Sequence, residues 1–341
     1  MNRSRFSLVI PTRERAETLA CALEACLTQD YDNYEVIVCD NFSSPATRAV
    51  VERLASPRII YHRAERALSM GENWNLAYSL ARGDFVTYIG DDDALLPHAF
   101  STLNALFSSN GAKAVRWDAA IYSWPNIPRA DLANYLHVPL ARSRQRLDGR
   151  RTMRDVLAGR APAPLLPNIY HGCVAREILE ETRARAGHVF ASYNCDTYSS
   201  FATAWFAGEY LSLASPLSIS GFSASSNNIA FNFLRSKHGN TQALRKENDA
   251  AGARLHSIVP DLPAGFVPVA DSFLRAKEEL FPEAHDIQLD RRAMIERFIV
   301  APPIDAPEEW KDVAAELRRS VSDDPELLTW FDERVKGLAP Q

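Results

Sequence analysis

The feature that most constrains this chain is an order repeated through its first hundred residues: a short β-rich run, a polar turn, then apolar residues at helical spacing. Phe6-Ser-Leu-Val-Ile10 is closed by Pro11, Thr12 to Glu17 are mostly polar, and Leu19, Leu23, Cys26 and Leu27 then recur at helical intervals. Tyr34 to Cys39 repeats the strand, Asp40-Asn41-Phe42-Ser43-Ser44-Pro45 the turn and Ala46 to Leu54 the helix. Arg58 to His62 predicts a third strand. Met70 to Ala81 predicts a helix with Gly83 just past its end, and Phe85 to Ile89 a fourth strand ending at Gly90. Strands alternating with helices have both faces of their sheet covered, so the expected class is α/β, a doubly wound and mostly parallel sheet with flanking helices.

Further along, His98 to Phe107 reads as a helix, Ala114 to Trp117 as a strand, and Tyr122 to Arg151 as an irregular stretch rich in Pro and Arg. Ala161 to Pro167 breaks regular structure, His171 to Val174 is strand-like and Asp196 to Ala207 helical. From about residue 240 the pattern is mainly helical, a C-terminal extension punctuated by prolines, and no internal repeat is visible.

Composition narrows the function classes. With 341 residues, 46% hydrophobic and 24% charged, the chain can bury a large core and is neither disordered nor fibrous. A net charge of -5 gives no electrostatic reason for a nucleic-acid partner. Five cysteines, an odd number without a CxxC pair, are expected as buried free thiols of a reducing compartment. The first residues lack the apolar core of a signal peptide, and no apolar run approaches the roughly 20 residues that span a bilayer. A cytoplasmic protein without an integral membrane segment is therefore expected, with peripheral contact at the inner face of a membrane left open.

Open α/β sheets bind ligands beyond the carboxyl ends of their strands. Thr12-Arg13-Glu14, Asp40-Asn41 and Asp91-Asp92-Asp93 each follow a strand, and are expected to converge on one edge of the sheet. Three adjacent carboxylates repel one another, so a hard divalent cation with nucleotide phosphates would explain them. An acidic lead-in to the helix near Pro97 explains the triplet equally well when it is taken alone. Asp40 and Asn41 suit a nucleoside-binding turn or a plain Asx turn with Ser43 and Ser44, and Thr12 to Glu14 suit a ligand loop or caps of the first helix.

Taken in series, the segments resemble a GT-A glycosyltransferase of the family 2 type. The residues that carry the resemblance are Phe6 to Arg13, Gln29-Asp-Tyr31, Tyr34 to Asn41, Asn75 with Ala81-Arg-Gly83, and Gly90-Asp-Asp-Asp93 with Pro97. It implies a nucleotide-diphospho-sugar donor, UDP-sugar favoured, with Pro11, Thr12, Arg13 and Glu14 lining the base pocket and Asp40 reading the base. Asn41 stands where the family usually has a second acidic residue. The resemblance further implies Asn75 positioning the donor, Asp91 and Asp92 near ribose and diphosphate, and Mn²⁺ or Mg²⁺ held among Asp91, Asp92, Asp93 and His238. The implied general base lies downstream at a helix start, where Tyr193-Asn-Cys-Asp196 fits, and Asp196 is the candidate. Its ordinary alternative is a helix N-cap.

The implied division is 1–115 for donor binding, 116–238 for acceptor and catalysis, and 239–341 for the helical extension, with a glycan or lipid-linked acceptor and inversion at the anomeric carbon. A homo-oligomer is compatible with the extension. Gly221 to Asn228 and His238 lie where the family has a loop closing over the diphosphate, with Arg235, Lys237 and His238 as phosphate or metal contacts and a solvated loop as the alternative; Trp117, Trp124 and Trp205 suit sugar stacking, with core packing as theirs. Two rival readings are a non-catalytic nucleotide-sugar or glycan-binding protein of the same fold, and a sugar nucleotidyltransferase. The second usually has a glycine-rich loop after its first strand; Pro11-Thr-Arg-Glu14 has no glycine.

Overall fold

The computed structural model describes residues 3–224, 226, 246, 254–304 and 306–338. The first half alternates as its sequence predicts: β1 (Phe6–Thr12), α1 (Ala16–Cys26), β2 (Tyr34–Asp40), α2 (Pro45–Leu54), β3 (Ile59–Arg63), α3 (Met70–Leu80) and β4 (Phe85–Tyr88). A two-residue strand β5 (Ala94–Leu95) then precedes α4 (Ala99–Asn110), β6 (Ala114–Trp117) and β7 (Ala120–Ser123). The chain continues through β8 (Leu136–His137), β9 (Arg144–Asp148), α5 (Gly149–Leu157), β10 (Gly172–Ala175), α6 (Arg176–Ala186), α7 (Cys195–Ala207), β11 (Glu209–Leu213) and β12 (Ser218–Phe222). Four further helices are described: α8 (Phe266–Leu280), α9 (Arg291–Val300), α10 (Trp310–Ser320) and α11 (Pro325–Val335).

Eight strands form one sheet in the order β3-β2-β1-β4-β10-β6-β11-β9. β1 to β4 run parallel, β10 lies antiparallel between β4 and β6, β11 is parallel to β6, and β9 closes the edge antiparallel to β11. The apolar run of β1 explains its central place. Phe6, Leu8 and Ile10 point into one layer with Leu19, Leu23, Phe100 and Leu103. Val9 points into the other, with Trp74, Ala77, Tyr78 and Ile178. Each fully buried apolar side chain of this size contributes about 1.5–3 kcal/mol, so a strand buried on both faces is mainly apolar, and its one polar residue between Phe6 and Ile10, Ser7, is hydrogen-bonded.

Local residues set the strand ends. Ser7 Oγ donates to Glu35 Oε1 at 2.6 Å and accepts from Gly83 N at 2.7 Å, and Arg82 N donates to Glu35 Oε1 at 2.6 Å. A Cβ on Gly83 would stand 2.5 Å from Ser7 N, so only glycine lets the α3–β4 turn approach β1 this closely. Gln29 Nε2 donates to Leu96 O at 3.0 Å and Asp30 N to Pro97 O at 2.9 Å, which moors the segment after the acidic triplet.

A small second sheet, β5-β12-β7-β8, sits beside the triplet. Behind the main sheet, α5, α7 and α8 share a core of Met153, Val156, Tyr198, Phe201 and Phe273. A further cluster joins the last helices through Met294, Phe298, Leu317 and Phe331. Among the described residues no helix is long and apolar enough to cross a membrane.

Two expectations need correction. Cys26, Cys39, Cys173 and Cys195 are buried free thiols, but Cys21 is exposed, on the outer face of α1. The stretch Tyr122 to Arg151 is not merely irregular, because it supplies β8 and β9. Both are edge strands with exposed faces, so neither carries the apolar run that marks a buried strand.

Candidate functional site

The acidic triplet leaves β4 through Ile89 and Gly90 and is buried at all three positions. It is not a helix lead-in: α4 begins at Ala99 with no acidic residue in its first turn. Each carboxylate faces a different way. Asp91 Oδ2 accepts from Thr12 Oγ1 at 2.6 Å and its Oδ1 from Arg15 Nη1 at 3.1 Å. Asp92 Oδ2 accepts from Ser223 Oγ at 2.7 Å, while its carbonyl accepts from Trp124 Nε1 at 2.9 Å. Asp93 Oδ1 accepts from Gly221 N at 2.7 Å, and its Oδ2 from Gly90 N at 2.6 Å and Tyr170 Oη at 2.5 Å.

Burial pushes all three carboxyl groups up to about 6. For Asp91 the Arg15 guanidinium works against burial, and for Asp92 the neighbouring Asp93 charge adds to it. Arg15 itself is raised above its ordinary value by Asp91 and Asp92, which outweigh its own burial.

The second part of the site comes from the segment before β10. Because β10 is antiparallel to β4, the residues that precede it lie at the edge where β4 ends. Tyr88 N donates to Ile169 O at 3.0 Å and His171 N to Tyr88 O at 3.2 Å. This carries Tyr170 onto Asp93, and sets His171 Nε2 3.4 Å from Asp93 Oδ2 and its Nδ1 2.8 Å from Ser218 Oγ. His171 Nε2 is buried without a hydrogen-bond partner, and burial lowers the imidazole to about 4, so it is neutral here.

Asn168 links this segment to α7 by donating to Asp196 Oδ2 at 2.9 Å. Asp196 is not the N-cap of α7, a position held by Asn194 without a side-chain bond. It lies in the first turn, with Oδ1 buried and without a hydrogen-bond partner among the described residues. Burial raises its pKa, and the first of the opposing influences is the Asn168 bond. Its charge reaches both His171 and Tyr170. The structure thus links the acidic triplet to Asp196 through the segment Asn168 to His171: Asn168 bonds Asp196, while Tyr170 and His171 reach Asp93.

The other candidates divide. Thr12 is at the site. Glu14, at φ 53°, caps α2 instead, accepting from Ser44 N and Ser44 Oγ at 2.8 Å each. Pro11 is half-buried and Arg13 exposed on the same loop. Asp40 is fully buried and accepts from Ser43 N at 2.8 Å and Tyr61 Oη at 2.6 Å. Asn41 spends its amide on both backbone groups of Leu68, at 2.7 and 2.8 Å. Asn75 bonds Gly71 O, Phe190 O, Val189 N and Phe190 N at 2.7 to 3.2 Å, and so staples α3 to the segment that leads to Asp196. Trp117 is buried and Trp205 stacks on Phe281, so both belong to the core. Trp124 braces the triplet. Arg235, Lys237 and His238 lie outside the described residues.

Sequence reasoning missed Arg15, Asn168, Tyr170 and His171 beside the triplet; it reads Gly221 to Asn228 as a loop over the diphosphate, whereas Gly221 and Ser223 bond Asp93 and Asp92 directly. The available signal was the polar Asn168-Ile-Tyr-His171 run entering an apolar strand, the mirror image of a polar run leaving one. Among the described residues no three His, Cys, Asp or Glu side chains converge as a ready-made metal cage.

Residues 7–162 match the family described as glycosyl transferase family 2. A Campylobacter jejuni protein named GalNAc(5)-diNAcBac-PP-undecaprenol beta-1,3-glucosyltransferase is 38% identical over 103 residues, 29% of this chain and 33% of its own length. An Escherichia coli UDP-Glc:alpha-D-GlcNAc-diphosphoundecaprenol beta-1,3-glucosyltransferase is 31% identical over 87 residues, 26% of this chain and 34% of its own. The matched segment spans about a third of the length of these curated relatives. In fold, the chain is similar to Staphylococcus aureus TarS 1-349 solved in complex with UDP-GlcNAc, with a TM-score of 0.55 at 13% identity, covering 98% of this chain and 92% of that one. Sequence match and sheet topology agree: residues 7–162 are similar to glycosyl transferase family 2, and the chain has a GT-A-like α/β fold.

Proposed function

We propose that this protein transfers a sugar from a nucleoside-diphosphate-sugar, UDP-sugar favoured, to a hydroxyl of a glycan or lipid-linked acceptor in polysaccharide, glycolipid or surface-glycan synthesis. The observation that carries the reading is the buried Oδ1 of Asp196 in the first turn of α7, without a hydrogen-bond partner among the described residues and one segment, Asn168 to Tyr170, away from Asp93. The names of the relatives, which act on diphosphoundecaprenol-linked sugars, support the choice of acceptor. In this proposal residues 1–115 bind donor, 116–238 complete the catalytic site and 239–341 form the helical extension, and the protein works in the cytoplasm.

Asp196 Oδ1 accepts the acceptor hydroxyl proton as that oxygen bonds to the anomeric carbon and the diphosphate leaves with its bonding pair from the opposite face. The configuration inverts. A carboxylate with a pKa raised by burial is a better base near neutral pH than an exposed one. Asn168 holds the other oxygen and so fixes the direction from which the proton is taken. Neutral His171 and Tyr170 keep the base and the triplet apart without adding a competing positive charge.

The triplet fits a divalent cation by its chemistry: three desolvated carboxylates leave negative charge that the Arg15 contact to Asp91 offsets only in part. Asp91 and Asp93 already spend both oxygens on protein donors, so Asp92 is the residue best placed to reach Mn²⁺ or Mg²⁺, with donor phosphates completing the shell. Such an ion would serve as a Lewis acid for the leaving diphosphate.

The test pairs two assays. Calorimetry with UDP-, GDP-, dTDP- and CDP-sugars, with and without Mn²⁺, identifies the donor, and transfer to a diphospholipid-linked sugar is then followed on wild type and Asp196→Asn. The expected result is donor affinity within about threefold of wild type and transfer reduced by about 10²–10⁴. Transfer retained in Asp196→Asn would remove it as the base. No nucleotide binding under any condition would remove the reading altogether.

A further inference from the structure

Large apolar side chains outside the site are mostly covered, but one stretch is not. Tyr135 is 50%, Leu136 54%, Val138 43% and Leu140 87% exposed, on β8 and the residues just after it. Ile121 of β7, 36% exposed and paired with His137, extends the exposed apolar surface onto the face opposite Leu136, whose partner is Tyr122. Arg142, Arg144 and Arg146 follow at once, all exposed, and no Asp or Glu occurs from residue 132 to residue 147. That is a local excess of positive charge in a chain whose net charge is -5. Arg146 reaches Glu209 at 3.4 Å, whereas Arg142 and Arg144 make no ion pair among the described residues.

We propose that this lip, Tyr135 to Arg146, docks the protein on an anionic lipid surface, with the leucines, Val138 and Tyr135 entering the headgroup boundary and the arginines meeting the lipid charge. Contiguous exposed apolar groups mark interaction sites, and a basic flank beside them is the composition that suits an anionic bilayer. A second copy is the poorer occupant. A two-fold contact would set the same arginines against one another with no acid in the segment to meet them. The lip also has a route to the chemistry: β8 pairs with β7 and β7 with β12, whose Gly221 holds Asp93, and Trp124 just past β7 holds the Asp92 carbonyl. Docking itself does not depend on the transfer reaction; its use, meeting a lipid-linked acceptor at the surface, rests on the function proposed above.

The experiment is co-flotation of the full chain with vesicles of phosphatidylcholine alone and of phosphatidylcholine with phosphatidylglycerol, at low and high salt. Two double variants are compared, Leu136→Ser with Leu140→Ser, and Arg142→Ala with Arg144→Ala. Wild type is expected on the anionic vesicles only, and less at high salt. The arginine pair should weaken partition by about 30-fold at low salt, taking about 1 kcal/mol or fivefold per arginine. The leucine pair should weaken it by at least about tenfold. Circular dichroism checks that both variants fold.

No binding to anionic vesicles, equal binding to neutral ones, or partition unmoved by either double variant overturns the proposal. So does a dimer in sedimentation that the leucine pair abolishes, or a protein partner whose capture the same pair abolishes while vesicles are ignored. Loss of docking with the Asp196→Asn result intact removes this inference and leaves the transferase reading standing; the converse result does the reverse.

Discussion

Gly221 is where the small sheet presses hardest on the triplet, and replacing it by alanine tests the site's construction directly. A Cβ there would fall 1.8 Å from the Asp92 carbonyl oxygen and 2.8 Å from Trp124 Nε1. The first contact is with backbone, so no side-chain rotation relieves it, and β12 must retreat by about 1.2–1.6 Å before the contact is tolerable. The same residue donates the 2.7 Å bond to Asp93 Oδ1, and Trp124 holds Asp92 at 2.9 Å, so that retreat weakens two braces at once. Overpacking costs about 1–3 kcal/mol and a lost bond to a charged acceptor about 1.5–3, for a combined loss of about 3–5 kcal/mol. Spread over the unfolding entropy of 341 residues, that is a fall in Tm of about 4–7 °C. Gly265→Ala is the control, because nothing lies within 4 Å of a Cβ there and its φ of -60° suits any residue. Differential scanning calorimetry reads both variants. A Gly221→Ala protein that melts within a degree of wild type would refute the reasoning, since β12 could not then be wedged against the triplet.

Asn75→Ala removes four bonds to backbone and should cost about 2–4 kcal/mol in urea unfolding, with faster amide exchange at residues 189–195; unchanged exchange there would show that the staple is redundant. Asp92 has a folded pKa of about 6 against 3.8 unfolded, so its share of stability is full below pH 3.8 and lost as pH rises through 6. Asp92→Asn escapes that loss and should be more stable than wild type at pH 8, by about 1–3 kcal/mol, with the gap closing toward pH 4; a variant less stable at pH 8 contradicts the sign. Tyr170→Phe takes a donor from Asp93 and should move its titration further upward, seen as a steeper decline of Tm between pH 5 and 7 (roughly the range over which a raised carboxyl titrates). An identical profile would mean that the 2.5 Å contact contributes nothing.

What the sequence revealed follows from which strands are buried. β1, β2 and β4 are covered on both faces, so their apolar runs stand out, and the polar residues after them gather at one edge of the sheet. β10 was recognised as a strand but not as an antiparallel one, and direction decides which of its ends reaches the site. A rule built on parallel strands looks after Ala175, while the residues that contact the triplet, Tyr170 and His171, lie before Gly172. β8 and β9 were missed because an edge strand needs no apolar alternation. Polar side chains were over-read for a related reason. Glu14, Asn41 and Asn75 sit where ligand residues would, but the turns around them expose backbone donors and acceptors that need partners, and nothing in one sequence says which need is met first.

The triplet shows which of two opposing effects wins. Thr12, Arg15, Ser223, Gly90, Gly221 and Tyr170 all donate to these carboxylates, and each bond favours the ionised form. Yet the three groups still titrate near 6 instead of near 3.8, so the removal of water outweighs every donor the chain supplies. A fold selected for stability alone would do better with fewer charges here. The carboxylates are held by four parts of the chain distant in sequence, the end of β1, β4, β12 and the segment before β10, and a bound cation, as proposed above, would offset the cost of holding them together. On that proposal Mn²⁺ with nucleotide should raise the Tm of wild type, and Asp92→Asn should gain stability at neutral pH and lose that shift, two effects of opposite sign from one oxygen-to-nitrogen exchange.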